Sequence, residues 1–245
     1  MGTKARKTVA FVTTESGCLK GGKVGGIADV VEGLATALEA NGWQVLVLAP
    51  RYGILGEAEG LTLLGQQHST FRGQQVHADV YCGEAAGVKH VLFEHDDITW
   101  GTPGSIYFHD PEAPFATDAN RFALFSSLAA SWLMENPVDV IPLHDWHTGP
   151  LAMLRAFDPV YSQLQRIKTV FTIHNLALQG VRPLQDDASS LRAWFPELRW
   201  EQEKVVDPRW QDCVNLMRAG IVLSDMVTSV SPTYVAEITD PGSGK

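Results

Sequence analysis

Thr8-Val-Ala-Phe-Val-Thr13, then Gly17-Cys-Leu-Lys-Gly-Gly-Lys-Val-Gly-Gly26, then Ile27 to Asn41, then Gln44-Val-Leu-Val-Leu-Ala49: these four segments decide the fold. The first and last are short apolar runs rich in β-branched residues, as in strands buried on both faces. Between them Ile27, Val30, Val31, Leu34 and Leu38 recur at helical spacing, and Gly42 supplies a stop. Pro50 closes the second strand. A strand, a glycine-rich turn, a helix and a second strand form the building block of a doubly wound parallel sheet.

The alternation continues down the chain. Helices are expected over Asp118–Met134, Thr148–Phe157 and Asn215–Leu223, and strands over Asp139–Leu143, Lys168–Ile173 and Met226–Val230. Ser231-Pro232 reads as a helix cap followed by proline at the first helical position, opening a helix through Ile238. Between Leu61 and Phe93, the alternating segments Gln75–Tyr81 and Val88–Phe93 read as a small antiparallel insert or sheet edge. Asp96–Phe115 reads as a long loop, and Leu176–Pro208 as mostly loop with one helix around Ser189–Phe195. The expected class is therefore α/β, a doubly wound parallel sheet in one domain over residues 1–245. Ligands of such sheets gather at the carboxyl ends of the strands. That rule nominates the Gly17–Gly26 turn, the loop after Ala49, His144–His147, and His174-Asn175.

Composition narrows the function. The 245 residues carry 19 Lys and Arg against 28 Asp and Glu, a formal net charge of −9. No basic block stands ready to displace counterions, which argues against a nucleic-acid partner. The one basic cluster, Lys4-Ala5-Arg6-Lys7, reads as a solvated lead-in to the first strand. No apolar run approaches the ~20 residues of a membrane-spanning helix. Cys18, Cys82 and Cys213 are far apart with no C-x-x-C, and read as reduced thiols in a reducing compartment.

Three motifs carry chemistry. The glycine turn nearly matches the phosphate loop G-x-x-x-x-G-K-[ST], with Gly17, Gly22 and Lys23 in register, but Val24 has no hydroxyl for a magnesium ion. A second reading is that Gly25-Gly26 lets backbone N–H groups approach an anion at the positive end of the following helix, with Lys23 as a mobile cation. That suits the diphosphate of a nucleotide sugar, while a glycine-rich loop with a solvated lysine remains the plain alternative. Leu143-His144-Asp145-Trp146-His147 puts two imidazoles, a carboxylate and an indole where a strand meets a helix. His144 and His147 could ligate a metal, although no Cys or Glu cluster completes a shell. A sugar site matches better, since sugars offer hydroxyls to carboxylates and imidazoles and a C–H face to an aromatic ring. Otherwise the segment is a capped helix with one His buried and one exposed. Thr172-Ile-His-Asn175 places a His and an Asn at the end of another strand, as a ligand contact or as a structural pair.

Taken together, Lys23-Val-Gly-Gly-Ile-Ala-Asp-Val30, His144-Asp-Trp-His-Thr-Gly149, Thr172-Ile-His-Asn-Leu-Ala-Leu-Gln-Gly180 and Val230-Ser-Pro-Thr-Tyr234 resemble, in order and spacing, the bacterial glycogen synthase and plant starch synthase family. The similarity covers essentially the whole chain. The resemblance implies the N-terminal, Rossmann-like half of a GT-B fold, the acceptor-side domain, without the C-terminal nucleotide-binding domain. It implies a retaining glucosyltransferase that moves glucose from ADP-glucose or UDP-glucose to the 4-hydroxyl of an α-1,4-glucan, inactive without that second Rossmann domain. No metal and no cofactor is implied, and the compartment would be the bacterial cytoplasm or the plastid stroma.

By the same resemblance, Lys23, Gly25 and Gly26 meet the sugar-nucleotide phosphate, with Lys20 as a rival lysine in the longer Leu19–Lys23 segment. His174 serves catalysis beside the transferred glucose. Asp29, Asp145, His147 and Asn175 lie on the acceptor side, with Trp146 helping to shape its floor. The stretch Tyr107-Phe108-His109-Asp110 carries one residue more than the family's Tyr-His-Asp, which leaves the aromatic acceptor contact open between Tyr107 and Phe108. The chain reads as stopping, at Thr239–Lys245, inside the loop that leads to the second domain. A different class, a stand-alone glucan-binding or regulatory module, would use the same acceptor groove.

Overall fold

The computed structural model describes residues 6–108 and 118–240. His109 and Asp110 of the aromatic loop therefore lie outside the described residues, as do Lys4 and the last five residues. The element order is β1 (Thr8–Val12), α1 (Gly26–Ala40), β2 (Gln44–Pro50), β3 (Thr62–Phe71), β4 (Gln74–Ala85), β5 (Val88–Glu94), α2 (Asp96–Thr99), α3 (Ala119–Glu135), β6 (Val140–His144), α4 (Gly149–Phe157), β7 (Lys168–Ile173), β8 (Val181–Pro183), α5 (Leu191–Trp194), α6 (Gln202–Val205), β9 (Cys213–Asn215), α7 (Leu216–Leu223), β10 (Met226–Ser229) and α8 (Pro232–Thr239). A 3₁₀ turn at Trp146–Thr148 precedes α4, and a 3₁₀ stretch over Pro159–Arg166, kinked at Tyr161, follows it.

Eight strands make one sheet in the order β10-β7-β6-β1-β2-β5-β4-β3. Every pairing from β10 across to β5 is parallel, and β4 and β3 add an antiparallel edge. Numbered among themselves, the parallel strands follow the doubly wound order 3-2-1-4-5-6, and the direction of winding reverses between β1 and β6. The alternation of side chains builds both faces. In β1, Val9 and Phe11 join Val45 and Val47 of β2 beneath α1, packed on Ile27, Val31 and Ala35. Ala10, Val12, Leu46 and Leu48 point the other way, into the larger cluster with Phe122, Phe125 and Leu128 of α3 and Leu151 and Leu154 of α4. Burial on both faces is why these strands read as continuous apolar runs.

The expected boundaries are met within a residue or two for the main helices and parallel strands. Three readings are corrected. Val88–Phe93 belongs to the parallel set: β5 pairs in parallel with β2, and only its other edge pairs antiparallel with β4. Asp96–Phe115 is not all loop, since α2 opens it, capped by the His95 side chain accepting from the Asp97 N–H. Leu176–Pro208 holds the expected helix as α5, and besides it the short strand β8, which pairs with β9, and the single-turn helix α6.

Close approach fixes how α7 sits. A Cβ on Gly149 would lie 2.2 Å from the Leu216 carbonyl oxygen, and one on Gly220 would lie 2.0 Å from the Phe171 ring. Only glycine lets α7 lie this near α4 and β7.

Candidate active site

The carboxyl ends of β1, β6 and β7 are neighbours at the reversal of winding, and the candidate residues gather there. β1 runs into Thr13 and Thr14, whose successors Glu15 and Ser16 are buried. The turn that follows closes on itself: the Ser16 N–H donates to the Gly22 carbonyl at 2.9 Å, and the Gly22 N–H to Leu19 at 2.9 Å. The Ser16 hydroxyl rests on Nε2 of buried His90 at 2.9 Å. This geometry carries the chain from the sheet up to the first turn of α1. Among the described residues, no side chain caps that turn.

Glu15 is the hub of the site. Its Oε2 accepts the N–H groups of Val24 and Gly25, each at 2.7 Å. Its Oε1 accepts the Tyr107 hydroxyl at 2.6 Å. Having spent its proton on Glu15, the Tyr107 oxygen accepts from the Thr14 hydroxyl at 2.9 Å. Burial and the Glu15 carboxylate push the Tyr107 phenol far above its ordinary value, so it stays a donor. The Gly25 amide is thus engaged by a carboxylate, and of the first helical residues Gly26 is exposed while Ile27 and Ala28 are buried, so the accessible positive end of α1 lies at Gly26. Lys23 reaches Asp29 at 2.5 Å, with both side chains more than half exposed, and Asp29 pushes the Lys23 ammonium up. The backbone N–H of Lys20 is tied to Glu59 at 2.8 Å, outside this network. Of the two lysines, Lys23 is the one beside the helix end.

From Tyr107 the contacts run on into the second motif. The Tyr107 ring lies 5.2 Å from His147, which stacks on Trp146 at 4.0 Å and meets Phe122 edge-on at 4.7 Å. Burial, with His174 adding to it, pushes His147 down to about 3, so it is neutral at physiological pH. Trp146 does not offer a face to a sugar. One face stacks on His147, its other contacts include Phe122, and Gly180 packs so close that a Cβ there would lie 2.3 Å from the indole. The reading of Trp146 as a stacking platform is corrected on that ground, and its part is to support His147. Nor is either His of this motif exposed.

Asp145 is 3 % exposed and adopts φ 61° and ψ −179°. That region is close to glycine-only and costs about 1–3 kcal/mol. Its Oδ1 accepts the amides of His174 at 3.3 Å and Asn175 at 3.5 Å, clamping the tip of β7 to the tip of β6. Burial pushes the Asp145 carboxyl up to about 7 despite those two donors. His174 is partly buried, and its Nε2 lies 2.9 Å from Nδ1 of wholly buried His144. Burial pushes His174 down to about 4, opposed by the field of Glu15. Asn175 is exposed, with its Oδ1 accepting the Ala177 N–H at 3.1 Å in a tight turn. The next amide, of Leu176, donates to the Tyr234 hydroxyl of α8 at 2.8 Å.

The structure therefore links Gly25 and Tyr107 through Glu15, sets the Tyr107 ring against His147, ties the His174 and Asn175 amides to Asp145, and pairs Lys23 with Asp29. Phe108 takes no part in the Glu15 network, its ring leaning on Trp100 at 4.6 Å. Arg121 holds this aromatic loop from α3, donating to the carbonyls of Ser105 at 2.7 Å, Ile106 at 3.0 Å and Trp100. Sequence reasoning missed Glu15, Thr14 and Arg121. A carboxylate following a wholly apolar strand was the available signal for Glu15, because acidic side chains are rarely buried unless paired. Among the described residues, no group of three or more His, Cys, Asp or Glu side chains is placed to hold a metal ion, and no helix is long and apolar enough to cross a membrane.

The chain as a whole is similar to known proteins. A family model described as the starch synthase catalytic domain matches residues 8–245. Glycogen synthase 2 of Methylococcus capsulatus is 35 % identical over 236 residues, covering 91 % of this chain and 45 % of that protein. Glycogen synthase of Myxococcus xanthus is 35 % identical over 242 residues, covering 96 % and 48 %. The chain spans about half the length of the curated relatives it matches. Among solved structures, the catalytic domain of starch synthase IV from Arabidopsis thaliana, bound to ADP and acarbose, superposes with a TM-score of 0.81 at 27 % identity, over 99 % of this chain and 48 % of that one.

Proposed function

The chain belongs to the starch synthase catalytic domain family, and on that premise we propose that it is the N-terminal, acceptor-side Rossmann-like domain, residues 1–245, of a retaining GT-B glucosyltransferase. The reaction is transfer of glucose from ADP-glucose or UDP-glucose to the 4-hydroxyl of an α-1,4-glucan. The ADP and acarbose held by the Arabidopsis relative support a nucleotide donor and a glucan acceptor. The observation that carries the reading is the convergence on Glu15, which connects the glycine turn, Tyr107 and, through its field, His174.

In such a transfer the diphosphate leaves as negative charge builds on it, and positive charge builds on the anomeric carbon. Preoriented donors at the anion lower that barrier most. The exposed start of α1 at Gly26 and the Lys23 ammonium meet the phosphate, with Gly25 held in shape by Glu15. Lys23 exchanges Asp29 for the phosphate when the donor arrives. Neutral His174 faces the transferred glucose, where an uncharged imidazole offers a hydrogen bond without repelling the forming cation. Tyr107, Asp29 and Asn175 line the acceptor side. Asp145 and His147, both buried, set its floor and hold the β7 tip in place. A second domain closing over this wall would expel water and bring the donor into line.

Two measurements test the reading. Calorimetry of the 245-residue chain with maltopentaose is expected to give saturable heat that Tyr107→Ala reduces, and no heat would overturn the acceptor assignment. Transfer from radiolabelled ADP-glucose to glycogen is expected at background for the chain alone. It is expected to appear when the chain is fused to the C-terminal half of the Myxococcus glycogen synthase, and robust transfer by the chain alone would refute the need for a second domain.

A further inference from the structure

His144 and His174 form a pair whose protons are dictated by burial. The two rings lie 5.1 Å apart at 36°, with His144 Nδ1 2.9 Å from His174 Nε2. The contact needs one proton between the two nitrogens, and each neutral imidazole carries a single N–H. Two arrangements satisfy this. In one, His144 donates from Nδ1 and keeps a bare Nε2. In the other, His174 donates from Nε2 and His144 carries its own proton on Nε2. The structure separates them, because His144 Nε2 is buried with no hydrogen-bond partner among the described residues. An orphaned N–H is costlier and rarer in protein interiors than an under-used acceptor. The Phe11 ring, 5.7 Å away, offers the Nε2 proton no acceptor. Burial, reinforced by the His174 charge, also pushes His144 down to about 3, which excludes the doubly protonated ring near neutrality.

We infer that His144 is a positioning residue that locks the tautomer of His174: His144 donates Nδ1–H to His174 Nε2, so that His174 carries its own proton on Nδ1. This is the reverse of the Nε2–H form that neutral histidine prefers in water. The other ring nitrogen of His174, Nδ1, has no partner among the described residues and is not among the enclosed polar atoms. It is the ring edge that the protein's own contacts leave unused. The backbone beneath the ring is fixed as well, through the His174 amide on Asp145. His174 thus presents a fixed donor, matched to an oxygen lone pair such as that of a sugar hydroxyl, and not an acceptor. The identity of that oxygen rests on the glucosyl-transfer reading, whereas the tautomer does not.

The test is long-range ¹H–¹⁵N NMR of the histidine-labelled chain near pH 7.5. His174 is expected to show a protonated Nδ1 and a bare, hydrogen-bonded Nε2. His144→Asn keeps a donor where Nδ1 stood and is expected to preserve that pattern, while His144→Phe removes it and is expected to return His174 to Nε2–H. A wild-type His174 already in the Nε2–H form, or one unmoved in His144→Phe, would overturn the lock. If the Phe variant does not fold, the wild-type and Asn spectra still decide. In the active fusion, His144→Phe is expected to lower kcat by about tenfold, the value of one lost hydrogen bond, with the glucan KM little changed and the Asn variant close to wild type. A tautomer that switches with no change in rate would support the lock and overturn the sugar-facing role of His174.

Discussion

Asp145 concentrates the cost of the site in one residue. It is buried, its backbone sits in a region favourable only to glycine, and burial pushes its carboxyl up to about 7. Close by, burial pushes His144 and His147 down to about 3 and His174 to about 4, against an ordinary 6.5. Between about pH 4 and 6.5 the unfolded chain holds protons on all three imidazoles that the native chain lacks. Over the same range the native chain keeps a proton on Asp145 that the unfolded one has lost. Unfolding then takes up about two protons net, so stability is expected to rise with pH through this window and to level off near 7, where Asp145 works in the opposite sense. Urea unfolding at pH 5, 6 and 7 checks this, and a flat or falling series would show that these groups are not buried as described. At this scale the sequence was partly legible. Strand-end His and Asp residues announced themselves by type and position. Trp146 was misread because the packing of Gly180 against its ring is a contact between distant segments, and Glu15 was passed over because two of its donors lie nine and ten residues on in the same turn and the third comes from the Tyr107 loop.

At the level of elements, the parallel strands were readable because burial on both faces leaves an unbroken apolar run, and α1 because its apolar residues keep a 3.6-residue period. β8 and β9 were not, since three-residue strands are defined by each other and not by any local pattern. β5 looked like an edge because its two neighbours impose different directions on it. The loop after β7 shows how elements support the site from behind. Gly180 at φ 59° ends that loop against Trp146, which in turn carries His147. Gly180→Ala combines an unfavourable φ with a Cβ inside the indole contact. It is expected to cost about 2–4 kcal/mol of stability and to alter the near-ultraviolet circular dichroism of the tryptophans. An unchanged Tm and spectrum would mean that the loop can retreat from Trp146 at no cost.

Across the whole molecule, the doubly wound order puts three strand tips side by side where the winding reverses, and the site follows from that topology more than from any one motif. The fold class was available from the alternation alone, while the placing of β4 and β3 as an antiparallel flank needed the three-dimensional pairing. At the other side of the sheet, β10 is the outermost strand. Asp225 anchors its start to Lys168 at 2.6 Å, to the Thr169 amide at 3.0 Å and to Arg155 at 2.9 Å. Burial raises the Asp225 carboxyl, but these partners outweigh it and hold the group at about 2. Beyond that anchor Met226, Val227, Val230 and Val235 are each at least 40 % exposed. An open strand rim with apolar side chains invites self-association. Sedimentation velocity of the 245-residue chain is expected to show concentration-dependent association that Met226→Lys reduces, and a sharp monomer at all concentrations would contradict it.

Because the parallel strands point the same way, their amino ends form a second rim that no proposed ligand contact uses. Gln44, exposed at the start of β2, lies there. A dye or a solid support attached through Gln44→Cys would sit a full strand length from the sugar-facing rim. The protein could then be tethered in a defined orientation, with its cleft facing the analyte.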